Sequence, residues 1–147
     1  MVKWLDDISP SVLDVGCGLH KTLSWLVGVD PRPQVTDMVG DAEELPVRAR
    51  STQAIVMRHS LEHVLDQTKA VKEWLRVLVP GGRVIIVLPD HGRIDTMDPR
   101  LSSGEHLHAY SRESFVSFIS LFPELAIRTG GTVIEDWSFG FVLEKNL

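Results

Sequence analysis

The chain holds a single cysteine, Cys17, among 147 residues. No internal disulfide can form, and a reducing compartment is the expected setting. No apolar run approaches the roughly 18 residues that a membrane span requires. The opening segment MVKWLDDISP carries two aspartates and lacks the apolar core of a secretion signal. Basic residues do not predominate: 15 Lys and Arg stand against 20 Asp and Glu, for a formal net charge of −5. Nonspecific nucleic-acid binding needs a basic face, so no nucleic-acid partner is expected. A ligand with a cationic centre suits this charge better. Internal repeats and low-complexity segments are also missing. The expectation is one cytoplasmic domain, residues 1–147, without a membrane span.

What is present is a series of short apolar runs broken by turn residues. Val12 to Val15 reads as a buried strand that runs into Gly16-Cys17-Gly18. Trp25 to Val29, Val35 to Val39 and Ala54 to Met57 read as three more strands. From Asp66 to Val79 the pattern turns helical. Val71, Trp74, Leu75, Leu78 and Val79 share one face, Asp66 can cap the start, and Pro80-Gly81-Gly82 stops it. Val84 to Leu88 is continuously apolar, as a central parallel strand covered on both faces should be. A long polar loop, Asp90 to Tyr110, follows. Ser111 then caps a helix with Phe115, Phe118, Ile119 and Phe122 on one side and Pro123 at its end. Leu125 to Ile127 and Phe139 to Leu143 read as closing strands, with a hairpin around Gly130-Gly131. Strands mixed with helices predict an α/β sheet, mostly parallel.

Ligands of such sheets bind beyond the carboxyl ends of the strands. The residues at those ends therefore carry the functional argument. Gly16 and Gly18 allow a ligand to approach the main chain closely. Asp30 closes the second strand, where an acid can accept hydrogen bonds from two ribose hydroxyls. Asp41 closes the third and can accept from an exocyclic amine, with the Ala42 N–H beside it for a ring nitrogen. Each of these also has a plain reading, as a structural turn or a solvated turn acid.

In this order, the motifs resemble the class I S-adenosylmethionine-dependent methyltransferases, in the small-molecule, type 11-like branch. VLDVGCG matches the first motif of that family, GVD the second-strand acid and GDAEELP the third-strand adenine contact. MRHSLEHVLD is similar to the segment after the fourth strand, and WLRVLVPGGRVIIVLPD to the helix, Pro-Gly-Gly turn and fifth strand. GEHLHAYSRESF is similar to a segment of members that act on glycan and lipid-linked substrates. The resemblance spans roughly Val12 to Phe115. It implies a Rossmann-like seven-stranded sheet of order 3-2-1-4-5-7-6. It also implies S-adenosyl-L-methionine as cofactor, S-adenosyl-L-homocysteine as product, and methyl transfer to a small-molecule acceptor, a saccharide or lipid-linked one. Gly16, Cys17 and Gly18 would wrap the amino-acid part of the cofactor, and Asp14 would help hold its ammonium group. Asp30 would bind ribose, Asp41 and Ala42 adenine, and His59 and Ser60 would lie near the sulfonium.

The chain departs from that pattern in three places. His20 stands where a third glycine is usual. Leu19 to Trp25 leaves two helical turns at most, and DPRPQVTDMVGD leaves no room for a proper helix. The helices after the first two strands are therefore expected to be shortened, and a homodimer or protein partner could supply the missing cover.

Methyl transfer needs no metal and no covalent nucleophile, but a hydroxyl acceptor needs a base. The candidates are His106 and His108, on a loop that covers the acceptor. The alternative is a solvated loop with satisfied histidines. His59 and His63 are four residues apart, yet the spacing of Glu62 is wrong for the metalloprotease motif, and no metal site is expected. Cys17 reads as a small turn residue. Trp4, Trp74 and Trp137 read as packing residues, and Val2 to Ile8 as a flap over the cofactor. The main alternative function is a catalytically silent, cofactor-binding partner of an active enzyme. A nicotinamide oxidoreductase fits less well, since its first turn needs the missing third glycine.

Overall fold

The computed structural model describes residues 11–102 and 105–147, without the side chains of residues 101 and 102. The segment Val2 to Ile8, with Trp4, lies outside the described residues.

A seven-stranded sheet forms the centre. In chain order its strands are β1 (Val12–Val15), β2 (Val27–Asp30), β3 (Met38–Val39), β4 (Thr52–Arg58), β5 (Leu78–Pro89), β6 (Leu125–Ile134) and β7 (Ser138–Lys145). The spatial order is β3-β2-β1-β4-β5-β7-β6, as the family resemblance implies. The first five strands are mutually parallel, and β7 runs antiparallel to both β5 and β6. β1 lies inside the sheet between β2 and β4, where Leu13, Asp14 and Val15 are all buried.

Helices are few. A single 3-10 turn, Leu61–His63, follows β4, and α1 (Gln67–Val77) follows that. The Asp66 carboxylate caps α1 by accepting the Lys69 N–H. Val71, Trp74 and Val77 point from it into the core. The helix does not stop at a free Pro-Gly-Gly turn. Its end passes straight into β5, which begins at Leu78, and Gly81 takes a φ of 77° inside that strand. α2 (Pro99–Ser102) is one turn long, and α3 (Arg112–Ile119) packs Phe115 and Ile119 inward. Ser111 and Ser114 bond each other's backbone N–H groups at its start.

Two expectations are corrected. No helix at all, rather than a shortened one, joins β1 to β2 or β2 to β3 among the described residues. Seven residues cannot repay the cost of helix nucleation, and Pro31 and Pro33 remove backbone donors from the second connection. The missing cover leaves Leu19, Leu23 and Trp25 exposed. Second, the β6–β7 turn lies at residues 135–137, not at Gly130-Gly131, which pair with Phe141 and Gly140 inside the hairpin. Gly130 is needed there because a Cβ would lie 2.2 Å from the Phe141 ring.

Candidate functional site

The carboxyl ends of β1, β2 and β4 open onto one cleft of about 700 Å³. The turn after β1 forms its floor. Gly16 and Gly18 have φ values of 71° and 58°, a region that L side chains rarely enter. The Gly16 N–H donates to the Val29 carbonyl at 2.7 Å and ties the turn to β2. A Cβ on Gly16 would lie 2.5 Å from the Cβ of Ser60, so β4 and this turn can close on each other only with glycine there. Ser60 donates its hydroxyl to the Val15 carbonyl at 3.0 Å.

Asp30 stands at the end of β2, only 3% exposed. Its Oδ2 accepts the Gly18 N–H at 3.0 Å, and its Oδ1 accepts the Arg32 backbone N–H at 3.0 Å and Nε at 2.9 Å. Burial pushes its pKa up, but these donors and the Arg32 charge outweigh burial and hold it below the usual carboxylate range. The Asp41 Oδ1 accepts the Glu43 N–H at 2.8 Å, which braces the turn after β3.

Eight of the nine residues expected around the cofactor line this cleft: Gly16, Cys17, Gly18, Asp30, Asp41, Ala42, His59 and Ser60. Asp14 does not. It is 1% exposed, sits behind the turn, and accepts the Thr22 N–H. Burial raises its pKa, while the Thr22 hydrogen bonds and the charges of Arg58 and Lys21 pull the other way. Its structural role is to hold the Leu19–Trp25 connection against β1.

A second, smaller pocket of about 130 Å³ adjoins the cleft, and His59 and His63 belong to both walls. Pro89, Ile94 and Trp137 form its apolar side, and Glu62, Thr96 and His106 its polar side. Trp137, expected only as a packing residue, is 38% exposed and faces this pocket. The His106 Nδ1 donates to the Thr96 carbonyl at 2.7 Å, and its Nε2 stands 3.9 Å from the Glu62 Oε1. The same oxygen is 3.8 Å from the His59 Nδ1. His59 has a φ of 50°, and burial, with the charges of Arg58, His106 and His63, lowers its pKa.

His108 is not brought to either pocket. Its Nε2 donates to the Val64 carbonyl at 2.9 Å, and the loop backbone is sewn down beside it by the Leu107 N–H, 2.9 Å from the Glu62 carbonyl. His108 therefore fixes the loop, and His106 is the histidine that meets the pocket.

Glu62 is the residue that sequence reasoning passed over. It is 1% exposed, and neither carboxylate oxygen has a hydrogen-bond partner among the described residues. Burial pushes its pKa up to about 7. The signal was its place in HSLEHV: a 3-10 turn puts it inward next to the fully buried Leu61, which sequence spacing alone does not reveal.

Comparison with known proteins agrees with this geometry. The profile of a methyltransferase domain family matches residues 3–126. The chain belongs to the methyltransferase domain family. It is 38% identical over 65 residues to a demethylmenaquinone methyltransferase of Paenarthrobacter aurescens, covering 44% of this chain and 26% of that protein. It is 34% identical over 83 residues to a ubiquinone/menaquinone biosynthesis C-methyltransferase of Haemophilus ducreyi, covering 56% of this chain and 30% of that protein. The chain thus spans less than a third of the length of either relative. In fold it is similar to an S-adenosylmethionine-dependent methyltransferase of Mesorhizobium loti, with a TM-score of 0.72, 12% identity, and coverage of 94% of this chain and 92% of that one. Family and fold together are those of the class I methyltransferases, and the cofactor they imply is S-adenosylmethionine.

The residues present fit that cofactor. The turn presents Gly16, Cys17 and Gly18 to the cleft, with positive φ at both glycines. The cleft volume lies within the ~300–1,000 Å³ usual for small-ligand sites. Asp30, Asp41, Glu43 and Glu105 on its wall outnumber Arg32 and Arg58, which suits a ligand carrying a sulfonium and an ammonium. One adjustment is required: a ribose diol at Asp30 must displace the Arg32 guanidinium, which is 61% exposed and free to swing away.

Proposed function

We propose that this domain transfers a methyl group from S-adenosylmethionine to a small-molecule acceptor seated in the pocket of His59, Glu62, His106 and Trp137. The observation that carries this reading is the shared wall. His59 and His63 line both the cofactor cleft and the smaller pocket, so a donor in one and an acceptor in the other would meet there. The cofactor supplies a carbon already activated by its sulfonium, and the protein's task is to align the two partners.

Gly16, Cys17 and Gly18 hold the amino-acid end of the cofactor, Asp30 the ribose, and Asp41 and Ala42 the adenine. Ser60 and His59 flank the reacting centre. The acceptor side combines an apolar wall with histidines and an acid, which suits a hydroxylated ring. The ring packs on Trp137 and Ile94, and its hydroxyl turns toward His106. A saccharide or lipid-linked acceptor brings such a ring. So does a quinol, the reduced form of the quinones named in the relatives' descriptions.

The test is a labelled-methyl assay against sugars, lipid-linked sugars and quinols. Turnover is expected with one class. His106→Ala is expected to lower that turnover at least tenfold while leaving cofactor affinity unchanged. An active His106→Ala variant would remove this histidine from the acceptor site. A second reading, a cofactor-binding partner without turnover, is favoured by the absent helices around β2. Tight binding of S-adenosylhomocysteine with no transfer to any acceptor supports it.

A further inference from the structure

Glu62, His63 and His106 each bring one ligand atom to a single point, with all three atoms within 4.8 Å of one another. Two features set this cluster apart from a chance meeting of polar side chains. First, its acid is buried and unpartnered. Glu62 is 1% exposed, and both oxygens lack a donor among the described residues. Leaving a carboxylate in that state is costly unless a proton or cation completes it. Second, the histidines are oriented by the backbone. The His106 Nδ1 lies 2.7 Å from the Thr96 carbonyl and the His63 Nδ1 lies 3.0 Å from the Glu105 carbonyl. A carbonyl only accepts, so each Nδ1 carries the hydrogen. Each neutral ring then has its lone pair on Nε2. This is the outer-shell arrangement that fixes metal-binding histidines.

The separations point the same way. The His106 Nε2 and the Glu62 Oε1 are 3.9 Å apart, too far for a hydrogen bond. Ligand atoms around a tetrahedral ion with bonds of about 2.0–2.1 Å stand roughly 3.4 Å apart, so the His106–Glu62 pair closes with a shift of about half an ångström, and the whole set, within 4.8 Å, with side-chain shifts of up to about 1.4 Å.

We infer that Glu62, His63 and His106 form a binding site for a divalent transition-metal ion of the zinc class, at the wall between the cofactor cleft and the acceptor pocket. Two imidazole nitrogens and one carboxylate oxygen select zinc or its late first-row neighbours over magnesium and calcium, which prefer all-oxygen shells. Three protein ligands leave one coordination position open. The smaller pocket lies on that side, so a water or an acceptor oxygen completes the shell. The metal site itself does not require methyl transfer; only the acceptor oxygen in its open position rests on the proposed function.

The test measures metal on the whole protein, stripped with a chelator and returned to zinc, by elemental analysis and by competition with a chromophoric chelator. One zinc per chain is expected. Glu62→Gln and His106→Ala should each weaken binding by about 100-fold or more, since even outer-shell losses cost about 10–100-fold. His20→Ala, at an exposed histidine outside the cluster, should leave it unchanged. Cobalt added to the unmutated protein should give the strong visible bands of a four-coordinate site, a readout that needs no variant to fold. Zinc that fails to bind at one per chain, cobalt with only the weak spectrum of the aquated ion, or zinc held equally by Glu62→Gln and His106→Ala each overturns the inference. Calorimetry with S-adenosylhomocysteine on the same samples reports the cofactor cleft separately. The metal site can thus fail while the methyltransferase reading stands, and the reverse.

Discussion

Asp30 meets two opposed demands with one carboxylate. Its carboxylate accepts from two backbone N–H groups and from the Arg32 side chain. The backbone donors hold the acid in place, while the guanidinium competes with any ribose for the same oxygens. Opposite effects follow from neighbouring substitutions. Asp30→Ala should weaken S-adenosylhomocysteine binding by about 1.5–3 kcal/mol, the usual loss for hydrogen bonds to a charged group. Arg32→Ala should tighten it, by no more than about fivefold, because an exposed ion pair contributes little. Calorimetry on both variants checks the pair. A weakened Arg32→Ala variant would mean that the guanidinium holds the cofactor itself. Gly16 gives a third case. Alanine there combines a φ of 71° with a Cβ 2.5 Å from Ser60, and should cost about 2 kcal/mol or more in denaturant melts.

At the scale of the element, α1 does more than cover the sheet. Glu73 on this helix accepts from Arg76 at 2.7 and 2.8 Å and from the Leu45 N–H at 2.8 Å. Arg76 in turn donates to the Val47 and Leu45 carbonyls, both at 3.0 Å. The pair therefore pins the loop between β3 and β4, which carries Asp41, to the helix. Arg76 holds the Glu73 pKa below the ordinary value. A carboxyl lowered by folding stabilises the protein above its unfolded pKa of about 4.3, and the contribution is lost as pH falls through the lower folded value. Glu73→Gln should cost about 1 kcal/mol at neutral pH, and the gap to wild type should close in acid. Thermal melts across pH 2–7 (a range of roughly five units around the carboxyl pKa) test this, and a gap that stays constant would contradict it. In the β6–β7 hairpin, Gly130→Ala should cost about 1–3 kcal/mol by forcing the Phe141 ring aside.

Elements were legible in the sequence where one periodicity ran unbroken. α1 and α3 follow from their apolar stripes and caps, and β5 from its continuous apolar run. The hairpin turn was misplaced because Gly130 and Gly131 look like a turn, while Gly130 makes room for the Phe141 ring inside the strand. The glycine turn and Asp30 could be read because their chemistry is local. His106 was legible as an acceptor-side candidate, but its meeting with Glu62 and His63 was not, because more than forty residues separate it from Glu62 and backbone bonds fix the loop that carries it.

For the whole molecule, the sheet order places β1 between β2 and β4 and sets the ends of these three strands around one cleft. Among the described residues no helix covers β2, while the glycine turn, the acid at the end of β2 and the wall between cleft and pocket are all in place. On this reading the cleft grips an adenosyl amino acid through Asp30. Isothermal titration of S-adenosylhomocysteine into the intact protein and into Asp30→Ala tests it most directly. One molecule should bind per chain, at least tenfold more weakly to the folded variant. No binding to the unmutated protein, or equal affinity in both, would contradict the account.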